Sequence, residues 1–320
     1  MKITQVETLR LGEFPNIIWV RIHTDEGLVG LGETFMGAQT VEAYIHEWAA
    51  PKLLGKNPLA IESRNRELTG YLGWRGSGAE TRGNSAIDIA LWDIFGKAAN
   101  MPLHTALGGK SRDDIRIYNT CAGYRYVRNT VNQSTSNWGL GQSQGPYEDL
   151  EGFLNRAGEL AESLLSEGIT GMKIWPFDMA AERSHGQYIS SEDLDAALEP
   201  FRKIRRAVGD RMDIMVEFHS LWRLPMAQKI ARALKPFNTF WHEDAIRMDS
   251  LDLLKQYARD CETLICASET LSYKWAFKDY LQTGVAGVVM LDLSWCGGLS
   301  EARKIAAMAD AWQLPVAPHD

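Results

Sequence analysis

The chain has 320 residues, of which 45% are hydrophobic and 23% are charged, a composition typical of globular proteins. The formal net charge is −7 and basic residues form no long cluster, which argues against nucleic acid and anionic membranes as partners. No apolar stretch approaches the ~20 residues that span a bilayer, and the N-terminus lacks the apolar core of a signal peptide. The four cysteines lack the spacing of a metal site, so we expect them to be reduced, in a cytoplasmic protein.

The N-terminal part predicts a small α+β domain over residues 1–112. Alternating apolar residues predict a three-stranded meander. Its strands are predicted at Ile3–Leu11, Ile17–His23 and Leu28–Thr34. A helix is predicted at Ser85–Ala98, where apolar residues recur on one face.

From about residue 115 the pattern changes to strands that alternate with helices, which is typical of a parallel α/β barrel, here over residues 113–320. The first predicted elements are strands at Ile115–Ala122 and Gly171–Trp175 and helices at Leu150–Ser166 and Ser191–Val208. Two irregular stretches, 123–146 and 176–191, interrupt this pattern, and the first is too long for an ordinary connection. A barrel needs an eighth strand after the seventh. We therefore expect the sequence to be truncated, without its last strand and the segment that returns to the N-terminal domain.

Three glutamates recur at a constant spacing, and each follows a short apolar run: Glu217, Glu243 and Glu269. The intervals are 243 − 217 = 26 and 269 − 243 = 26, about the length of a strand, a helix and two tight loops. Such a repeat places the carboxylates at the ends of neighbouring parallel strands, where the active sites of α/β barrels lie. Carboxylates that converge repel one another unless a hard cation lies between them, and Mg²⁺ prefers oxygen ligands. The pattern predicts a Mg²⁺ site, with solvated loop glutamates as the alternative.

Two further residues continue the series of strand ends. Asp292 follows the apolar run Val288–Leu291, at 292 − 269 = 23, and His319 follows Leu314–Pro318, at 319 − 292 = 27. A carboxylate can hold one ring nitrogen of a histidine, fix its tautomer and raise the basicity of the other nitrogen. We therefore predict that Asp292 orients His319 as the base that removes a proton beside a substrate carboxylate. An exposed terminal histidine is the alternative.

With these positions in place, the sequence resembles the enolase superfamily, in its mandelate racemase-like branch, and most closely the acid-sugar dehydratases of galactonate dehydratase type. The resemblance extends over essentially the whole chain. Its other landmarks are Gly32-Glu33 and residues 86–94, 106–109, 297–300 and 317–319. It implies an α/β fold with a modified TIM barrel of (β/α)7β type and an N-terminal α+β capping domain. It also implies a Mg²⁺ cofactor, a small sugar-acid substrate and a homo-oligomer.

The resemblance implies roles for residues near the predicted strand ends. His219 lies two residues after Glu217, on the same face of the predicted strand, and matches a histidine that protonates the departing hydroxyl. A buried structural histidine and a substrate-binding histidine are the alternatives. Lys173 matches a lysine that pairs with the substrate carboxylate, but the second lysine of the family's Lys-x-Lys pattern is Trp175 here. Since tryptophan cannot transfer protons, this departure favours one-base abstraction and elimination. The family more often has aspartate where this chain has Glu217.

We expect the N-terminal domain to carry substrate specificity, with Trp74, Arg75 and Arg82 as candidate contacts. An arginine can form two parallel hydrogen bonds with a distal carboxylate or with hydroxyls. The alternative is that these arginines lie on the surface without a role in binding. The predicted enzyme is a lyase, a Mg²⁺-dependent dehydratase that converts a sugar acid through an enediolate into a 2-keto-3-deoxy acid. The alternatives are a racemase, epimerase or cycloisomerase that uses the same enediolate, and a non-catalytic relative that keeps the fold.

Overall fold

A computed structural model describes residues 1–70, 76–123, 126, 134–141 and 148–319. The chain divides into two compact units. The first comprises Met1–Ile115, Glu269–Asp279 and Met290–Asp320, and the second comprises Arg116–Ser268 and Tyr280–Val289. In the described part of the chain, no helix has the length and apolar character that a membrane crossing requires.

The first unit is built on an antiparallel sheet with the strand order β1-β2-β3. Its strands are β1 (Ile3–Leu11), β2 (Phe14–Thr24) and β3 (Val29–Phe35). Residues Ile18, Val20 and Ile22 recur at the two-residue spacing of one strand face and are completely buried. The predicted meander is therefore confirmed, with β2 longer at both ends than the sequence pattern indicated.

Helices of the first unit pack with this sheet around one apolar core. They are α1 (Ala38–Tyr44), which continues through a π-helical turn at Ile45–Ala49 into α2 (Ala50–Leu53), then α3 (Ile61–Thr69) and α4 (Ala79–Ala98). The short α5 (Leu103–Ala106) follows α4 and has no buried residue. The longest, α4, contributes the fully buried Ile87, Leu91 and Ile94 to the core. The helix predicted at Ser85–Ala98 is the C-terminal part of α4, which begins earlier, at Ala79.

Strand β3 approaches helix α4 so closely that two strand positions have no room for a side chain. A Cβ atom on Gly30 would lie 2.1 Å from the carbonyl oxygen of Ala90, and one on Gly32 would lie 1.9 Å from that of Ala86. Both oxygens belong to helix backbone, so they cannot move aside as the end of a flexible side chain does. Glycine at these two positions therefore permits the observed distance between sheet and helix.

Gly32→Ala is expected to lower the free energy of unfolding by about 1–3 kcal/mol, the usual effect of overpacking. Gly12→Ala is the matched control, because a Cβ atom at Gly12 meets nothing within 4 Å, and its effect should stay within about 0.5 kcal/mol. Urea unfolding followed by circular dichroism measures both variants. Equal unfolding midpoints for the two variants would contradict this account of the packing.

The second part of the chain alternates strands with helices. Its elements are α6 (Asp149–Asn155), α7 (Ala157–Ser166), β4 (Gly171–Ile174), α8 (Asp178–Ser184), α9 (Ser191–Val208), β5 (Asp213–Glu217), α10 (Leu224–Leu234), β6 (Trp241–Glu243), α11 (Leu251–Asp260), β7 (Leu264–Ala267), α12 (Tyr273–Leu281), β8 (Val288–Asp292), α13 (Gly298–Ala311) and β9 (Val316–His319). The strands are neighbours in chain order from β4 to β9, and each pair from β4–β5 to β7–β8 is parallel. This is the βα repeat that the sequence predicts.

The prediction of a strand at Ile115–Ala122 was wrong. Within that stretch only Asn119 pairs as a strand residue, in an isolated parallel bridge to Met172. The backbone turns at Cys121, whose φ of 52° lies in the left-handed region, and this ends the extended conformation. The apolar residues Ile115 and Ile117 are exposed, so their alternation does not mark a buried strand face.

Two helix predictions also need correction. The single helix predicted at Leu150–Ser166 is two helices, α6 and α7, because the backbone at Arg156 is not helical (φ −130°, ψ 40°). The stretch 176–191, which was predicted to be irregular, contains α8. A helix as short as α8 is hard to recognise because it is shorter than the windows in which apolar periodicity is read.

A buried carboxylate fixes the start of α13 within the first unit. Asp88 of α4 accepts hydrogen bonds from Ser300 N at 2.9 Å, Ser300 Oγ at 2.6 Å and Asn65 Nδ2 at 2.6 Å. The Ser300 amide belongs to the first turn of α13, where helix N–H groups have no partner within the helix. Burial raises the pKa of Asp88, while these hydrogen bonds oppose the rise. The loop that follows β8 is thus tied to α4.

Candidate active site

Two glutamates end adjacent parallel strands in the second unit. Glu217 is the last residue of β5 and Glu243 the last of β6, and the two are paired in register. Their side chains are 1% and 0% exposed. Lys173 of β4 donates from Nζ to Glu217 Oε2 at 3.1 Å and to Glu243 Oε1 at 2.6 Å. An ammonium group therefore bridges two of the carboxylates that the sequence predicts as metal ligands.

Burial dominates the electrostatics of Glu243. It raises the pKa of Glu243 to about 8, the charge of Glu217 adds to the rise, and Lys173 opposes it. The indole N–H of Trp241 donates to Glu243 Oε2 at 3.0 Å. Neighbouring buried carboxylates need positive charge nearby if both are to be ionised. The atoms that these glutamates offer to a metal are all oxygens, which hard divalent cations such as Mg²⁺ prefer as ligands.

The loop after β5 turns sharply around the Glu217 side chain. Glu217 Oε1 accepts hydrogen bonds from the backbone amides of Phe218 at 3.0 Å and His219 at 2.7 Å. His219 and Ser220 have φ angles of 48° and 58°, in the left-handed region. Because β5 ends at Glu217, the loop sets the direction of the His219 side chain. The alternation of strand side chains, on which the prediction for His219 relied, does not extend that far.

His219 is held by a residue that sequence reasoning missed. Asp178, the first residue of α8, has its Oδ2 atom 2.7 Å from His219 Nδ1. Asp178 is 4% exposed, and its Oδ1 has no hydrogen-bond partner among the described residues. Burial raises the pKa of Asp178, and His219 opposes the rise. The only sequence signal was an acid at the start of an unrecognised short helix.

Trp175 lies just beyond β4 and is 4% exposed. Its ring contacts the rings of Phe153 and His219, with centroids 5.3 Å and 5.8 Å apart. The tryptophan that replaces the family's second lysine therefore packs beside the histidine predicted as proton donor.

In the first unit, His319 lies between two carboxylates. Its Nδ1 is 2.9 Å from Asp292 Oδ2, and its Nε2 is 2.9 Å from Glu269 Oε2. The other oxygen of Asp292 accepts hydrogen bonds from Ser294 N at 2.6 Å and Ser294 Oγ at 2.7 Å. With both oxygens engaged, Asp292 holds the His319 ring in one orientation.

Aromatic rings of the same unit pack against this histidine. The ring centroids of Trp295 and Phe35 lie 5.6 Å and 6.5 Å from that of His319. The guanidinium carbon of Arg82 lies 4.1 Å from the Trp295 ring centroid. A cation over an aromatic face is attracted to it, so Arg82 and Trp295 stabilise each other.

Arg82 is a partly buried cation whose guanidinium is held by backbone oxygens. It donates to the backbone carbonyls of Ser77 and Phe35, each at 2.8 Å. Burial lowers the pKa of Arg82, and the charges of Asp292 and Glu269 oppose this. The other two candidate substrate contacts, Trp74 and Arg75, lie outside the described residues.

Two family models match the chain in order. The N-terminal domain of the mandelate racemase / muconate lactonizing enzyme family matches residues 12–108. The enolase C-terminal domain-like family matches residues 156–320, which is more than half of the chain.

Curated relatives and solved structures agree with these matches. The D-galactonate dehydratases of Klebsiella pneumoniae (strain 342) and Variovorax paradoxus (strain S110) are each 30% identical over 321 aligned positions, which cover 100% of this chain and 75% of each relative. An enolase of the mandelate racemase subgroup from Agrobacterium tumefaciens, with a succinimide residue, is 59% identical with a TM-score of 0.88, over 100% of this chain and 79% of that one. An enolase protein from Sargasso Sea environmental sequencing is 44% identical with a TM-score of 0.87, over 99% of this chain and 78% of that one. The predicted fold class, a TIM-barrel type with an N-terminal α+β domain, is thereby confirmed.

Proposed function

The chain belongs to the mandelate racemase-like branch of the enolase superfamily, and from that membership we propose that it is a Mg²⁺-dependent dehydratase of a sugar acid. Its similarity to D-galactonate dehydratases supports this class of reaction. The observation that carries the proposal is a pair of histidines, each bound to its own buried carboxylate. His319 is bound to Asp292, and His219 to Asp178. Dehydration needs one group that removes a proton and one that delivers a proton, and two oriented histidines supply both.

We assign Glu217, Glu243 and Glu269 as the Mg²⁺ ligands. These residues end or follow β5, β6 and β7, three consecutive parallel strands. The raised pKa of Glu243 supports a place for positive charge there. When bound, Mg²⁺ supplies positive charge for the carboxylate of the substrate. Lys173, whose ammonium already contacts two of these glutamates, adds to that charge.

The reaction begins with proton removal at the carbon beside the carboxylate. Asp292 accepts the hydrogen bond of His319 Nδ1, so Nε2 is the nitrogen that would take this proton once Glu269, whose Oε2 lies 2.9 Å from Nε2, binds Mg²⁺ instead of the ring. The electron pair of the broken C–H bond passes into an enediolate. As the bond from the β-carbon to its hydroxyl breaks, His219, protonated on both ring nitrogens, delivers the proton of Nε2 to the hydroxyl, water leaves and the ring becomes neutral. The resulting enol ketonises to a 2-keto-3-deoxy acid.

The residue at position 175 favours elimination over racemisation. A two-base racemase needs a second proton-transfer group on the opposite face of the substrate. In this chain the matching position holds Trp175, which packs against His219 and cannot exchange protons. Racemisation, epimerisation or cycloisomerisation through the same enediolate remains the alternative outcome of the assay.

The proposed partner is a small sugar acid, bound by a cytoplasmic homo-oligomer. Arg82, a partly buried cation near the acidic residues of the first unit, is a proposed substrate contact through its guanidinium. Trp74 and Arg75 are proposed contacts on sequence grounds alone.

A panel of mono- and di-acid sugars tests the function. Formation of 2-keto acid is measured with purified protein in millimolar Mg²⁺ and again in EDTA. We expect turnover of one stereochemical group, reduced to background by EDTA. Exchange of the proton beside the carboxylate for solvent deuterium, without keto acid, would indicate racemisation or epimerisation. Neither product nor exchange from a Mg²⁺-bound protein would favour a non-catalytic relative.

A further inference from the structure

We propose that Asp178 is a positioning residue for the proton-donating step, because it holds the His219 ring with Nε2 directed towards the departing hydroxyl. The inference rests on the proposed function, since the departing hydroxyl belongs to that reaction. It adds to the reaction a residue from α8, an element that contributes none of the other proposed groups.

Only one position of the shared hydrogen atom is consistent with the contact between Asp178 and His219. An ionised carboxylate can only accept hydrogen bonds. The ring nitrogen that faces it, Nδ1 at 2.7 Å, must therefore carry the hydrogen. When the ring carries a hydrogen on both nitrogens, Nε2 is therefore the one that gives up its proton as the substrate C–O bond breaks, and Nδ1 keeps its hydrogen towards Asp178. The Asp178 side chain is 6% exposed and that of His219 is 28% exposed, so the carboxylate is the inner partner of the pair.

Neighbouring aromatic residues fix both partners against each other. Phe177 precedes Asp178 and Phe218 precedes His219, and both phenylalanines are completely buried. Their rings are stacked, with centroids 5.8 Å apart and planes 5° apart. The stacked, buried rings hold together the two chain segments that carry Asp178 and His219. Trp175 then packs against the His219 ring from another strand end. The ring has little freedom to turn away from Asp178.

A role only in starting α8 does not account for the burial of Asp178. An acid at a helix start stabilises the helix by about 0.3–1 kcal/mol and does so when exposed. The first-turn acids of α9, Glu192 and Asp193, are not buried. Asp178 is buried with Oδ1 unpaired among the described residues, and an unpaired buried acceptor costs about 1–3 kcal/mol. Because this cost exceeds what an acid at a helix start contributes, we attribute the burial of Asp178 to its contact with His219.

Asp178→Asn tests the kinetic consequence with little change of shape. We expect keto-acid formation to fall about 10–100-fold, as when an outer partner of an active-site histidine is removed. Exchange of the proton beside the carboxylate for solvent deuterium should persist, because it depends on His319. Asp193→Asn is the matched control. It removes a carboxylate contact to the same helix, 2.6 Å from Arg183 on the surface, and should leave both rates unchanged. Equal loss of exchange and elimination in Asp178→Asn would assign the residue a structural role and overturn the proposal.

Two further measurements keep the test decisive. In a His219→Gln background, Asp178→Asn should have no additional effect on elimination, because the two residues act as one unit. Independent additive losses would overturn the proposal. The ¹⁵N signals of the His219 ring, assigned with His219→Gln, should shift in Asp178→Asn and stay in place in Asp193→Asn. Unchanged signals would overturn it. The spectra need no substrate, so they decide whether Asp178 holds the His219 ring even if every sugar acid fails and the proposed dehydratase function is rejected.

Discussion

His319→Asn is expected to abolish keto-acid formation, with kcat lowered by at least about 10²–10⁴-fold, the range that a positioned general base contributes. The asparagine amide can still donate a hydrogen bond towards Asp292, as His319 Nδ1 does at 2.9 Å. It cannot accept a proton from carbon. The substitution therefore removes the base and retains the polar contact that holds this position.

The decisive comparison is with His219→Asn, measured under the same conditions. Exchange of the substrate proton for solvent deuterium should vanish in His319→Asn, because this exchange needs the base. In His219→Asn exchange should continue while elimination fails, because only the proton donor is lost. Circular dichroism and Mg²⁺ titration check that both variants fold and bind metal. Loss of exchange in His219→Asn with its retention in His319→Asn would reverse the two assignments.

The constant spacing of the glutamates was a sound basis for predicting which of these residues are neighbours. A period of one strand and one helix predicts parallel neighbours, and Glu217 and Glu243 are indeed opposite each other in the register of β5 and β6. The hydrogen bond between Asp292 and His319 follows from the same reasoning. These relations are predictable because hydrogen-bonded strands fix which residues are neighbours.

The contacts of the loops could not be predicted in this way. His219 lies past the end of its strand, where left-handed backbone and hydrogen bonds to Glu217 decide its direction. Its partner Asp178 comes from a helix too short to show a clear period. The same limit explains the incorrect strand at Ile115–Ala122, where an alternating pattern lacks a continuous hydrogen-bonded partner. Local apolar patterns predict elements, whereas tertiary contacts decide loop geometry.

The position of Lys173 shows a second limit. Its pairing with the substrate carboxylate, which the sequence resemblance implies, stays a prediction, and the sequence did not indicate that its ammonium contacts Glu217 and Glu243. The contacts that a lysine makes across two strands are not visible in a sequence, because they depend on how the buried side chains pack. Lys173 is 2% exposed, so its charge has to be compensated by buried acids.

Lys173→Met should produce the largest loss of stability among these substitutions when Mg²⁺ is absent. Methionine has nearly the same volume as the lysine stem but no charge, so the change leaves two buried carboxylates without their cation. Removing one partner of a buried ion pair costs about 3–5 kcal/mol. Urea unfolding in EDTA measures the loss. Lys235→Met is the matched control, because Lys235 pairs with Glu262 on the surface, with side chains 41% and 75% exposed. Its effect should stay below about 1 kcal/mol.

Magnesium should reverse most of this loss, and by more in Lys173→Met than in the parent protein. In the parent, a cation that binds Glu217 and Glu243 has to compete with the ammonium that both already contact. In the variant it meets no competitor, so the affinity for Mg²⁺ rises. A ligand at 100 times its Kd adds about 2.7 kcal/mol of stability. Unfolding midpoints measured across a Mg²⁺ titration give this difference directly. If Mg²⁺ stabilises neither protein, the assignment of the two glutamates as metal ligands is wrong. If it stabilises both equally, Lys173 does not compete with the metal.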